Sequence, residues 1–319
     1  MSAKRDILLF LFLAASLSLH ARPFVTDDAE IAKEGKNQIS VGYSSVNPQG
    51  VYDGSGSYIA FPAGDSRQEQ SVLMSFRYGA AFGSEVEVKL PYFTGHYVSA
   101  SKALDLTAAG LGDIWLVGSN QSVENSSASD KAALKVGVKF PNGKSLFSSG
   151  APQLPTGTGT WDFMAGAATK EKRAPFILYG NFYYVYRLGA SSDTFAGLPI
   201  SSYNAAERTI NVGPSSQIRY NIAVEYPINT ALSFVMEYNG ITQYEAKATY
   251  AGSGLDAVPA LSANDTEYYF ARSIVGRASV GASITPTDKV SITGGASLPV
   301  ASSTYYGGLM IFANLSIGL

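Results

Sequence analysis

The sequence predicts an all-β protein, a closed antiparallel transmembrane β-barrel of about 12 strands. Three observations carry that expectation. Apolar and polar residues alternate with a period of two from residue 37 to the C-terminus, the segments between the alternating stretches are by turns short and long, and no apolar run of 18 or more residues follows the first 21. With 46% hydrophobic and only 15% charged residues and no cysteine, the chain is apolar for an exported protein that has no disulfides to lean on. A closed barrel is the structure other than a helix that satisfies every backbone group inside lipid.

The chain opens with Lys4 and Arg5, an apolar run from Ile7 to Leu19, and His20-Ala21. A basic start, a short apolar stretch and a small residue at its end read as a signal peptide over 1–21. The competing reading, a membrane anchor, needs about 20 apolar residues, more than this run supplies. Residues 22–36 then form an N-terminal segment, a candidate plug or hatch, and 37–319 form the barrel.

Strands are expected at 37–46, 68–79, 84–95, 110–121, 131–141, 161–170, 175–188, 212–226, 231–247, 267–284, 289–300 and 305–319. The clearest is 217–226, where Ile218, Tyr220, Ile222, Val224 and Tyr226 alternate with Gln217, Arg219, Asn221, Ala223 and Glu225. Ala132, Leu134, Val136, Val138 and Phe140 oppose Lys131, Lys135 and Lys139, and Val86, Val88, Leu90 and Tyr92 oppose Glu85, Glu87 and Lys89. The last strand alternates Leu309, Ile311, Ala313, Leu315, Ile317 and Leu319 against Met310, Phe312, Asn314, Ser316 and Gly318.

The connections at 80–83, 122–130, 171–174, 227–230 and 285–288 are mostly tight, whereas 47–67, 96–109, 142–160, 189–211 and 248–266 are long and rich in Gly, Ser and Pro. Short turns on one side, long loops on the other and both termini on the short side form the outer-membrane pattern. A secreted β-sandwich also alternates, but several of these strands outrun soluble ones and match the 9 to 11 residues that cross a bilayer at a tilt. Tyr43, Tyr78, Tyr92, Tyr226, Tyr238 and Tyr305 near strand ends suit interfacial girdles. Pro91, Pro141, Pro227 and Pro299 belong at strand exits or bulges, because a closed barrel has no free edge.

With the apolar rows facing lipid, the lumen receives Arg77, Glu85, Glu87, Lys89, Lys131, Lys135, Lys139, Arg219, Glu225, Glu237, Arg277 and Lys289. Across the short turn Arg77 meets Glu85 or Glu87, so an ion pair is expected there. Twelve strands about 4.8 Å apart close into a cylinder about 24 Å wide, and side chains leave only a narrow passage. The charged rows suit either a substrate path or a salt-bridge network that fills a closed barrel.

Arg22-Pro23-Phe24-Val25-Thr26-Asp27-Asp28-Ala29, Gly110-Leu111-Gly112-Asp113, and Leu154-Pro155-Thr156-Gly157-Thr158-Gly159-Thr160-Trp161-Asp162 preceded by Lys139-Phe140-Pro141-Asn142-Gly143 follow one another along the mature chain. In order and spacing they resemble a family of outer-membrane transporters named for the meta-pathway of phenol degradation. The resemblance implies an outer-membrane barrel associated with uptake of small, often aromatic or hydrophobic compounds. Leu319 departs from the terminal aromatic usual in such barrels, a residue that bears on recognition by the barrel-assembly machinery. Read from the residues alone, Asp113 and Asp162 suit anchoring of the N-terminal segment or a loop, with a direct ligand role as the alternative, and Asp27 and Asp28 suit either plugging or cation binding.

Other signals fail. Gly143-Lys144-Ser145 lacks the upstream glycine of a phosphate loop, and Gly-Leu-Gly-Asp lacks the third glycine of a dinucleotide fingerprint. Asp27, Asp28 and Glu30 lack calcium-loop spacing. A lipolytic barrel would need a base, for which His96 is the candidate beside Ser99 and Ser101, without a local group to orient it. A structural or adhesive surface barrel would draw on the loops 189–211 and 248–266. The chain's formal charge of −2 shows no basic excess, so nucleic acid is not an expected partner. The expectation is thus a barrel without catalysis, cofactor or metal, partnered by outer-membrane lipid, the barrel-assembly machinery and a small-molecule substrate that it passes without chemistry.

Overall fold

A computed structural model of the chain describes residues 26–100, 104–124, 130–144, 154, 156–192, 209–246, 248–251, 272–287, 289–303 and 305–319. The leader and Arg22 to Val25 lie outside the described residues. The strands, in chain order, are β1 (Asn37–Val46), β2 (Gly50–Tyr52), β3 (Tyr58–Ala60), β4 (Ser66–Ala80), β5 (Ser84–Ser99), β6 (Leu104–Leu111), β7 (Ile114–Glu124), β8 (Lys131–Phe140), β9 (Asp162–Arg173) and β10 (Phe176–Arg187). They continue with β11 (Ala190–Ser192), β12 (Thr209–Val212), β13 (Ser215–Pro227), β14 (Leu232–Gln243), β15 (Ala248–Ala251), β16 (Ser273–Thr287), β17 (Val290–Ser303), β18 (Tyr305–Gly307) and β19 (Met310–Gly318).

Twelve of these, β1, β4, β5, β7, β8, β9, β10, β13, β14, β16, β17 and β19, run antiparallel to their neighbours in one sheet. Strand β4 bonds to both β1 and β5, which completes the cylinder. The first and last strands pair from Gln38 opposite Gly318 to Val46 opposite Met310, so β1 starts and β19 ends at the short-turn end. Closure removes every sheet edge from the lipid.

Alternation sorts the faces as the sequence predicts. Outward rows such as Leu134 and Val136, Phe182 and Tyr184, and Ile292 and Leu298 are exposed and apolar, a surface that only lipid satisfies. Tyr43, Tyr78, Tyr92 and Tyr226 are exposed on the same outer surface, and Tyr238 stacks at 6.1 Å on Tyr220. The inward rows are buried and largely polar.

Two departures from the expected strands have local causes. The stretch expected at 110–121 splits at Gly112-Asp113 into β6 and β7, with β6 continuing the wall beside the outer part of β5 inside what reads as a loop. Pro91 sits opposite that break, where its carbonyl accepts the Gly112 N–H and its own missing donor costs no ladder bond. Likewise Pro299 pairs with Arg277 at a register shift, and Pro141 and Pro227 lie at strand exits. Beyond the barrel's long-loop end, β18-β2-β3 and β11-β12-β15 form two small sheets, mostly where the sequence suggests loops, although β18 takes Tyr305–Gly307 from the start of the strand expected at 305–319.

Candidate functional site: the charged lumen and the segment inside it

Residues 26–36 run inside the barrel from the short-turn end towards its middle. At the base, the Gly35 N–H donates to Gly79 O and the Gly79 N–H to Lys36 O. Glycine is required at 79, since a Cβ there would stand 2.0 Å from the Lys33 carbonyl. Higher up, the Ala32 N–H donates to Glu85 Oε2 at 2.6 Å, and Glu30 accepts from Lys131 at 3.0 Å and from Lys170 at 2.8 Å. Lys170 also reaches Asp28 at 3.2 Å. The Asp27 N–H donates to Asn181 Oδ1 and the Asp27 carbonyl accepts from Asn181 Nδ2, both at 2.7 Å. Thr26, the first described residue, donates through its backbone N–H and its hydroxyl to Glu237.

The Asp27 carboxylate accepts from the Tyr183 hydroxyl at 2.8 Å and faces Lys89 and Lys135 at 3.6 and 3.7 Å. Burial alone would push this carboxyl up, but Lys135 and Lys89 together with Tyr183 outweigh it and hold it below the usual carboxylate range. Glu30 is held down in the same way, the charge of Lys170 and the bonds from Lys170 and Lys131 overcoming its burial.

The wall itself carries a charge imbalance. Between turns and rim, the described inward cations are Arg77, Lys89, Lys131, Lys135, Lys139, Lys170, Arg187, Arg219 and Arg277, against the carboxylates Glu85, Glu87, Asp113, Asp162, Glu225 and Glu237. The excess of three positive charges matches Asp27, Asp28 and Glu30 on the segment. Docking therefore neutralises a cationic wall.

Of the residues expected in the lumen, Arg77 lies opposite Glu87 in register and bonds Glu85 at 2.7 Å, and Lys89 reaches Glu87 at 3.5 Å. Glu225 accepts from the Tyr179 hydroxyl at 2.6 Å, and Arg277 donates to Ser297 Oγ and to the carbonyls of Ser297 and Gly308. Lys289 differs: it stands exposed in the turn before β17, because the strand starts one residue later than the alternation suggests.

Asp113 and Asp162 hold an incoming loop rather than the N-terminal segment. Asp113 accepts from the Gly143 N–H at 3.1 Å, the Thr158 N–H at 2.8 Å and the Thr158 hydroxyl at 2.9 Å. Lys139 bridges it at 3.2 Å to Asp162 at 2.8 Å, and Arg187 lies 3.4 Å beyond. The loop comes so close that a Cβ on Gly157 would meet Asp113 Oδ1 at 2.2 Å.

His96 does acquire an orienting carboxylate, Asp105 at 2.8 Å, supplied by β6. Ser99 points to the opposite face of β5 and donates to Asp65, while Ser101 lies outside the described residues. Among the described residues no group of three His, Asp or Glu side chains is arranged for a metal ion.

Sequence reasoning missed Lys170, Asn181, Tyr183, Arg187 and Trp115. Lys170 was findable, since it continues the inward row from Asp162 through Met164, Gly166 and Ala168. Tyr183 was not, because aromatic residues occupy both faces of β10.

No protein-family model matches the chain, and no curated protein does. Among solved structures, the chain is similar to an outer-membrane channel from Pseudomonas putida F1, with a TM-score of 0.68 at 13% identity over 94% of this chain and all of that one. This chain folds as a bacterial outer-membrane β-barrel. It is also similar, at a TM-score of 0.50 and 12% identity, to the transport unit of the autotransporter AIDA-I from Escherichia coli, over 98% of this chain and 97% of that one.

Proposed function

We propose that the protein is a plugged outer-membrane channel for passive uptake of small compounds with aromatic or otherwise apolar bodies, and that residues 22–36 are its plug. One observation carries the reading: the described part of the segment is held in the lumen almost wholly by ion pairs and hydrogen bonds, groups that water and a dissolved anion can satisfy once the segment leaves. A permanent filler would be expected to pack apolar side chains. Its apolar packing among the described residues centres on the Ala29 contact with Ala133 and Ala168, flanked by Ile31.

Apolar cargo is supported by Leu73, Phe93 and Ile241, which alternate inward above the charged belt yet remain 41, 37 and 36% exposed. The resemblance to the meta-pathway transporter family points the same way, and the fold shared with the Pseudomonas putida channel supports the channel role. The test is single-channel recording in planar bilayers with and without residues 22–36. Current steps that appear or enlarge on deletion are the expected result, and silence in both from folded protein would sink the proposal.

A further inference from the structure

Among the described residues, the inward lysines, Arg77 and Arg187 each meet a carboxylate within 4.0 Å, whereas Arg219 on β13 does not. Its Nε and Nη2 donate to the same Gln217 oxygen at 3.2 and 2.9 Å, and no described carboxylate forms an ion pair with it. Its guanidinium carbon lies 5.6 Å from the ring centre of Trp115, which comes from β7 on another side of the lumen. A guanidinium withdrawn from bulk water and given only an amide and a ring face retains its capacity for a planar, bidentate anion.

Its surroundings say which anion. Across the strand pair Arg219 lies opposite Tyr183, the residue whose hydroxyl holds the Asp27 carboxylate with Lys89 and Lys135 behind it. On its other side it lies opposite Ile241, one of the inward apolar side chains that stay exposed. The lysine distances to Asp27, 3.6 and 3.7 Å, exceed hydrogen-bond length, so the seat accommodates a carboxylate without clamping it.

We infer that the lumen beyond the segment binds a small carboxylate carried on an aromatic or apolar body, anchored by Arg219 against Trp115, and that Asp27 is an internal stand-in for that carboxylate. The cargo's anion lands on Arg219, its body lies against Ile241, and it competes with Asp27 for Lys89, Lys135 and Tyr183. Entry and release of the segment become one event. The inference rests on the plug reading and adds the chemical class of the cargo.

The chain has two tryptophans, and Trp161 faces outward against Phe140 at 5.0 Å, so Trp161→Phe leaves Trp115 as the sole reporter in the full-length protein. Benzoate is titrated against its neutral analogue benzyl alcohol at fixed ionic strength, and Trp115 emission is followed. Benzoate is expected to give a saturable change that benzyl alcohol does not. Arg219→Gln should weaken benzoate by about tenfold or more, with Arg219→Lys between, as fits loss of a charged bidentate contact. Asp27→Asn should tighten it by about tenfold by removing the internal competitor.

Equal titration by benzyl alcohol, or an unchanged benzoate affinity in both folded Arg219 variants, would overturn the carboxylate site. An unchanged affinity in Asp27→Asn would overturn the stand-in role. Failure of the plug reading shows separately, as silent bilayers from the protein lacking residues 22–36.

Discussion

Lys170→Met isolates the electrostatics of the segment from the stability of the barrel. The lysine is 2% exposed and joins Asp28 at 3.2 Å and Glu30 at 2.8 Å, while its backbone is paired with Tyr179 and Lys131 in the sheet. Methionine keeps the stem and the ladder but removes the cation shared by the buried Asp28 carboxylate and the half-buried Glu30 carboxylate. Removing one partner of a buried ion pair costs about 3–5 kcal/mol, and the lower end applies because Glu30 keeps Lys131 at 3.0 Å. A loss of about 3 kcal/mol lowers the docking equilibrium about a hundredfold. Hydrogen exchange reads it directly, since the amides of Asp27 and Ala32 donate to Asn181 and Glu85 only while the segment is docked. Faster exchange at both amides, with unaltered exchange in the strands, is the expected result. Unchanged protection in a folded barrel would refute the claim that ion pairs hold the segment.

Other perturbations test neighbouring links. Gly79→Ala should displace the segment and raise channel conductance in bilayers while the barrel still migrates as a folded species, because the new Cβ would overlap the Lys33 carbonyl at 2.0 Å. Asp113→Ala should strip the Gly143 and Thr158 N–H groups of their acceptor, loosen the loop by about 1–3 kcal/mol, and appear as faster proteolysis within 141–161. Asp27 and Glu30 titrate below the usual range when docked, so their contribution to docking is complete above the ordinary carboxylate value of about 4 and erodes as pH falls below it. Protection of the Asp27 amide, corrected for intrinsic exchange, should therefore stay level from pH 8 to 5 and drop in stronger acid. A drop confined to the range from pH 8 to 5 would assign control to another group.

The barrel was legible because lipid and lumen impose opposite demands on alternate residues, and a strand such as 217–226 obeys both at every position. Prolines were legible as exits and interruptions for a related reason: each marks a place where the ladder has no use for an N–H. What escaped was set by partners distant in sequence. Nothing around residue 112 announces that β6 resumes the wall, since the pairing of Leu104–Leu111 depends on the outer half of β5 extending to Ser99. Arg219 reads as one member of a charged row, and its lack of a carboxylate appears only when the neighbouring rows have been paired off.

Asp27, Asp28 and Glu30 show the same limit from the other side. In the sequence they are an acidic cluster with no spacing that specifies a ligand, equally suited to solvent or to a cation. Inside the barrel they meet Lys89, Lys135, Lys131 and Lys170, which come from β5, β8 and β9. Each of those lysines would be destabilising in a narrow, partly dehydrated lumen without an anion, and each carboxylate would be equally so without the lysines. The wall therefore requires compensating negative charge of some kind whether the segment is docked or not. When the segment leaves, that charge has to come from solution, which makes the undocked state most stable when an anion is there to take its place. On the function proposed above, coupling of this sort would let the channel stay closed to neutral solutes and open in proportion to the concentration of its cargo, with no energy source other than the cargo's own gradient.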